Sequence, residues 1–320
     1  MYHSFKNITA AHTAIGYTIH QKGATPQDAI VLAKLVNNSE ISRNEASFLN
    51  TYIKKYYLIA SVPINLYICN KMRILHTAQT TKNIFMETTI ILHIEASTET
   101  CSVALSQDGH VFFERVNSDA RSHAKVLAPF VEEAIKVADE QGARINAVAL
   151  SSGPGSYTSL RIASSTAKGV CYGRNIPLIA IPTTAVMCVP VLFRDDLPED
   201  ALLCPMIDAR RNEVYATVYD RALGVMKETH AEVVTEESFK EFLDHGPVYF
   251  FGNGAAKCST IINHPNAHFL EEHRNPMAKN MMPLAERAWF NEQFEDIAYF
   301  EPFYLKNFIA TKPKELLKNF

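Results

Sequence analysis

From residue 90 onward, short apolar runs alternate with polar turns in an order that repeats. Ile90 to Glu95, Ser102 to Ser106 and Val111 to Val116 carry strand composition, with Gln107-Asp108-Gly109-His110 as the turn between the last two. A helix follows, opened by Ser122 as cap, with Leu127, Phe130, Val131, Ala134, Ile135 and Ala138 on one face and Gly142 at its end. Pro129 falls inside it, so the helix either kinks there or starts later than Ser122. Ile145 to Leu150 reads as a strand feeding Ser151-Ser152-Gly153-Pro154-Gly155-Ser156, and Tyr157 to Gly173 as a helix rich in small residues. Three antiparallel strands, a helix, a strand and a helix are the order of an RNase H-like lobe.

The order recurs after a proline-marked stretch from Pro182 to Pro198, which reads as a break. Leu202 to Ile207 is a strand ending in Asp208, and Glu213 to Tyr219 and Val225 to Val234 continue the meander. Thr235-Glu236-Glu237-Ser238 has the form of a capping start for a short helix. Val248 to Phe251 is a further strand, after which Gly252-Asn253-Gly254 opens another helix. This duplicated order predicts an α/β protein with the two-lobed actin-like ATPase (RNase H-like) fold: a first lobe over 86–190, a second over 191–300 and a C-terminal segment over 301–320.

Residues 1–85 differ from the rest, being rich in Asn, Lys, Tyr and Thr with little strand alternation. Thr25-Pro26 followed by Ala29 to Leu35 reads as a capped amphipathic helix. Because Met86 stands just before the first core strand, the segment reads as an upstream extension; the competing reading is a small helical accessory domain.

The 320 residues are 47% hydrophobic, with 31 basic and 34 acidic side chains and a net charge of -3, so no bulk attraction draws the chain to nucleic acid or to an acidic membrane. Cys69, Cys101, Cys171, Cys188, Cys204 and Cys258 form no CxxC pair and point to a reducing cytoplasm. No apolar run is long enough to span a bilayer, and no HExxH or GxSxG motif is present. His264 and His268 are four apart, but Pro265 and Asn266 between them argue for a loop.

The glycine turn admits two readings, a phosphate cradle or a tight connection. Glu95 and Asp208, each ending a strand, read as Mg²⁺ ligands if the cleft is active, or as solvated strand-end acids if it is not. Arg210 and Arg211 follow in a turn suited to RNA phosphate or to pairing with acids such as Glu213.

The segments Ile94-Glu95-Ala96-Ser97-Thr98-Glu99-Thr100-Cys101-Ser102, Gly153-Pro154-Gly155-Ser156-Tyr157-Thr158-Ser159-Leu160-Arg161 and Ile207-Asp208-Ala209-Arg210-Arg211-Asn212-Glu213 resemble the TsaB (YeaZ) family in this order, as does Tyr299-Phe300-Glu301-Pro302-Phe303-Tyr304. The resemblance covers residues 86 to 311 and implies a non-catalytic subunit that docks on TsaD, which transfers a threonylcarbamoyl group to adenosine 37 of tRNAs reading codons that begin with A. It implies TsaE as a third subunit, ATP and a divalent metal held by the partner subunits, tRNA met indirectly or at a shared surface, and a homodimer as the state without partners. It departs from the family pattern in carrying Glu95-Ala96 for Asp-Thr and Thr158-Ser159 for Thr-Gly. With no catalytic or metal-ligating residue expected, Glu95, Ser97, Gly153, Pro154, Gly155, Ser156 and Asp208 become vestigial cleft candidates. Val126, Phe130, Arg161, Ser164, Ser165 and Lys168 become partner-interface candidates on the two first-lobe helices. The competing reading is an independent actin-like ATPase or small-molecule kinase using Glu95, the glycine turn and Asp208.

Overall fold

Ile90–Glu95 (β1) is buried along its whole length, and a strand with both faces covered belongs at the centre of a sheet. In the computed structural model, which describes residues 88–119, 122–272 and 275–306, it takes that place. Contacts divide the chain into Met1–Glu87 and Thr88–Phe320, and every described residue lies in the second unit. The expectations for residues 1–85 fall outside the described residues.

Cys101–Gln107 (β2) and His110–Asn117 (β3) complete the first meander, His123–Glu140 (α1) follows, and Ala147–Ser151 (β4) returns parallel to β1. Tyr157–Arg174 (α2) leads to Leu178–Ile181 (β5), parallel to β4, and the strand order is β3-β2-β1-β4-β5. Alternation along β1 sends Leu92 and Ile94 into a core with Val103, Leu105, Leu127, Val131, Ala163 and Ala167, which leaves His93 and Glu95 for the opposite face.

The second sheet repeats this plan. Leu202–Asp208 (β6), Glu213–Tyr219 (β7) and Val225–Val233 (β8) form an antiparallel meander, while Val248–Phe251 (β9) and Ala267–Leu270 (β10) lie parallel on the other side of β6. The order β8-β7-β6-β9-β10 matches that of the first sheet strand for strand. Cys204, Met206, Val214, Ala216, Phe239 and Phe250 build its core.

Four local expectations change. The stretch from Pro182 to Pro198 is not a break but holds a buried helix, Thr183–Leu192 (α3), preceded by Pro182 and carrying Pro190 in its last turn. A helix apolar on every side has to be enclosed, and α3 lies against β6. The expected lobe boundary at 190 therefore falls inside it. Pro129 does not delay α1, which runs from His123 with the proline on its exposed side. The Ser122 hydroxyl bonds Asn117 and Asp119 and caps nothing. Ser238 Oγ accepts from the Thr235 amide and closes a turn, so the helix Lys240–Leu243 (α4) begins later than the capping pattern suggests.

Ala255–Cys258 (α5) is a single turn after β9. The chain then returns to the first sheet, where a 3₁₀ turn, Ala278–Met281, and Met282–Phe290 (α6) pack on β1, β2 and β5. Residues 278–290, assigned by sequence order to the second lobe, thus cover the first. Among the described residues no helix is long and apolar enough to cross a membrane.

Candidate functional site

The turn after β4 is closed by neighbouring protein groups. Gly153 has φ +110°, which disfavours an L side chain, and a Cβ there would lie 2.7 Å from the Phe303 carbonyl oxygen. Its amide donates to Thr183 Oγ1 at 3.1 Å, and its carbonyl accepts from the Thr183 amide at 2.9 Å. Pro154 is buried and joined to Gly153 by a cis peptide bond. Gly155 passes so close to the β1–β2 loop that a Cβ would sit 2.3 Å from the Ser97 carbonyl oxygen, which accepts from the Ser156 amide at 2.7 Å. A phosphate taking the Gly153 and Ser156 amides would have to displace Thr183 and Ser97. Ser156 stands at the cap position of α2, but its hydroxyl accepts from Ser159 Oγ instead of bonding a helical amide.

Glu95, at the end of β1, is wholly buried, which corrects the expectation of a solvated strand-end acid. Its Oε1 accepts from the Ser97 amide at 2.7 Å and from Ser97 Oγ at 2.6 Å. Oε2 and the nearby Ser151 Oγ have no hydrogen-bond partner among the described residues. Burial pushes the Glu95 carboxyl above the ordinary glutamate value, against smaller lowering effects from Ser97 and Ser151. Burial, with the Glu95 charge adding to it, also pushes the Cys101 thiol up to about 12.

Asp208, at the corresponding end of β6, is exposed and paired. Lys257, on α5, brings its ammonium 2.5 Å from Asp208 Oδ1, 2.9 Å from the Arg211 carbonyl oxygen and 2.5 Å from that of Glu213. A protein cation therefore occupies the position beside Asp208 in which a ligated metal ion would compete. Gly252, at φ +106°, and Gly254 press on the same strand end: the Gly254 amide donates to the Met206 carbonyl at 3.0 Å, and Asn253 Oδ1 accepts from the Asp208 amide at 2.9 Å. In both lobes a glycine turn after the fourth strand thus closes on the end of the first. Arg210 and Arg211 have φ of 69° and 52° and exposed side chains. Glu213 does not pair with them as expected, because Lys306 reaches its carboxylate first.

The interface candidates lie on α1 and α2, which pack side by side. Arg161 and Ser165 are exposed, while Val126, Phe130 and Lys168 are half-buried with part of each side chain accessible. Ser164 is turned inward at 6% exposure, a correction to its place on the outer face. Helical spacing carries the outer ridge onward from Arg161, Ser165 and Lys168 to Tyr172, 82% exposed, which the sequence reading passed over although its spacing was available.

His264 and His268 do not meet in one site. His264 lies beside Asp244 and His268 stacks on Tyr249, and among the described residues no group of three or more His, Cys, Asp or Glu is placed to hold a metal ion. The five described cysteines are free and buried.

Two five-stranded sheets of one strand order, each with a glycine turn closed on its first strand, define the two-lobed actin-like ATPase fold. A Pseudomonas aeruginosa structure described as an uncharacterized protein with similarity to peptidase YEAZ superposes with a TM-score of 0.57 at 25% identity, covering 69% of this chain and 100% of that one. A second, YeaZ from the same organism, gives 0.57 at 24%, covering 68% and 100%. The family model described as TsaD: tRNA N6-adenosine threonylcarbamoyltransferase matches residues 110–313. The tRNA threonylcarbamoyladenosine biosynthesis protein TsaB of Escherichia coli is 30% identical over 234 residues, 69% of this chain and 96% of its own. That of Haemophilus influenzae is 27% identical over 243 residues, 71% and 98%. The chain belongs to the TsaB family of tRNA threonylcarbamoyladenosine biosynthesis proteins.

Proposed function

We propose that this chain is a non-catalytic subunit of the bacterial complex that forms N6-threonylcarbamoyladenosine at position 37 of tRNAs reading codons that begin with A. In this reading it binds and supports the catalytic subunit TsaD through the outer ridge of α1 and α2, in the cytoplasm. TsaE completes the complex, ATP and the divalent metal belong to the partner subunits, and tRNA meets this chain indirectly or at a shared surface.

The observation that carries the non-catalytic reading is the Lys257 ammonium on Asp208. With Ser97 and Thr183 on the turn amides, it leaves Asp208 and the glycine turn engaged by the protein's own atoms. These residues do not fit a Mg²⁺-bound nucleotide without rearrangement.

Reconstitution tests the reading. Threonylcarbamoyladenosine formation by TsaD, TsaE and the threonylcarbamoyl donor should depend on this chain. Charge reversal at Arg161 and Lys168 should lower both TsaD capture and product while leaving the fold intact. Full activity of TsaD without this chain would overturn the role. Tight Mg²⁺-dependent ATP binding by the isolated chain, abolished by Glu95→Gln, would favour an independent ATPase.

A further inference from the structure

The outer edge of the first sheet is only partly closed. In the parallel β4–β5 pair the Val148 amide bonds the Pro177 carbonyl and the Ser152 amide bonds the Ile181 carbonyl. Residues 177, 179 and 181 therefore turn their backbone groups toward β4, and Leu178 and Ala180 turn theirs outward. The Leu178 carbonyl accepts from the Glu295 amide at 2.8 Å, in an isolated antiparallel bridge. One step along the strand, Ala180 faces a cavity of about 480 Å³ that Asp296, Tyr299, Glu301 and Phe303 also line.

This groove has a definite chemistry. Tyr299 is 84% exposed and Phe303 46%, so two aromatic rings stand open beside Ala180, whose outward backbone groups have no partner among the described residues. The carboxylates of Asp296 and Glu301 carry no ion pair among the described residues. An edge residue with outward amide and carbonyl groups receives an extended chain, a ring receives a guanidinium, and the acids select for positive charge.

We propose that this groove binds an extended, arginine-bearing segment of a partner protein, which adds to the sheet at Ala180 and places its basic side chains against Tyr299, Phe303, Asp296 and Glu301. The groove borders the α1–α2 ridge, since the Lys168 ammonium lies 5.9 Å from the centre of the Phe300 ring, which also lines it. RNA is disfavoured as the occupant because its phosphates meet the carboxylates of Asp296 and Glu301, which no cation neutralises among the described residues.

The test uses the full chain and a fluorescein-labelled octapeptide of four Arg-Thr repeats, with a Glu-Thr octapeptide and spermine as comparisons. Anisotropy should show binding of the Arg-Thr peptide alone of the two, weakened about fivefold by combined Asp296→Asn and Glu301→Gln, as expected for loss of two exposed charge pairs. Hydrogen exchange at the Ala180 amide should slow with the Arg-Thr peptide and not with spermine, which carries charge without a backbone. Unchanged affinity in the double variant, unslowed exchange at Ala180, or displacement of the peptide by tRNA would each overturn the proposal.

Discussion

The Lys257 ammonium lies 2.5 Å from Asp208 Oδ1, across 49 residues of sequence, and holds the Arg211 and Glu213 carbonyls at the same time. One cation thereby ties the β6–β7 turn to the single-turn helix α5. Lys257→Met should destabilise the fold by about 1 kcal/mol, chiefly through the Arg211 carbonyl, which loses its donor, while the Glu213 carbonyl keeps the Ala209 amide and the exposed ion pair itself contributes little. Lys257→Arg should restore only part of this, because a planar guanidinium does not match acceptors grouped around a point charge. Urea unfolding of the three proteins checks both statements.

Glu95 titrates against its burial. Its folded-state value is raised, so the native state holds the proton more tightly than the unfolded state does, and stability falls as pH rises above the ordinary value of 4.5 through the raised one. Glu95→Gln keeps an acceptor for Ser97 and supplies a donor toward Ser151 in place of an oxygen that has no partner. The variant should therefore gain stability relative to the parent as pH increases, read from urea midpoints between about pH 5 and 9. A pH-independent difference would contradict a buried, raised carboxyl.

His93, on the same face of β1, has the opposite sign. Desolvation by burial lowers it from 6.5 to about 3, with Nε2 2.7 Å from Ser106 Oγ. The unfolded state takes up the proton first, so stability contributed by the neutral ring should be complete above pH 6.5 and lost as pH falls toward 3. His93→Gln should flatten that acid slope even if it lowers stability at neutral pH. Parallel slopes for parent and variant would disprove the assignment.

Two glycines only fourteen residues apart by number separate packing from docking. A Cβ at Gly155 would lie 2.3 Å from the Ser97 carbonyl oxygen, so Gly155→Ala should cost about 1–3 kcal/mol by forcing the β1–β2 loop away from the start of α2. At Gly169, exposed on α2, a Cβ meets nothing within 4 Å, and Gly169→Ala should stabilise the isolated chain by about 0.5–1 kcal/mol. If α2 is the TsaD contact, the same alanine should weaken capture by TsaD. Thermal unfolding paired with a binding titration distinguishes the two effects.

Strand composition and helical spacing were enough to place β1, β2, β3, β4, β6, β7, β8, β9, α1 and α2 to within a few residues, because each signal is local: alternation for a strand, a 3.6-residue period for a helix. The repeated order of those elements also led to the two-lobed fold. The prolines from Pro182 to Pro198 misled because a helix enclosed on all sides has no polar face to reveal its period, and α3 became visible only with β6 beside it.

The sequence by itself determined which residues could end a strand, turn the chain or start a helix at Glu95, Gly153 and Ser156. Only the tertiary structure decided that Glu95 is buried while Asp208 is exposed and neutralised by Lys257, and that Thr183 and Ser97 engage the glycine turn. Those outcomes depend on which faces and distant segments meet in space. Local periodicity contains no information about such meetings.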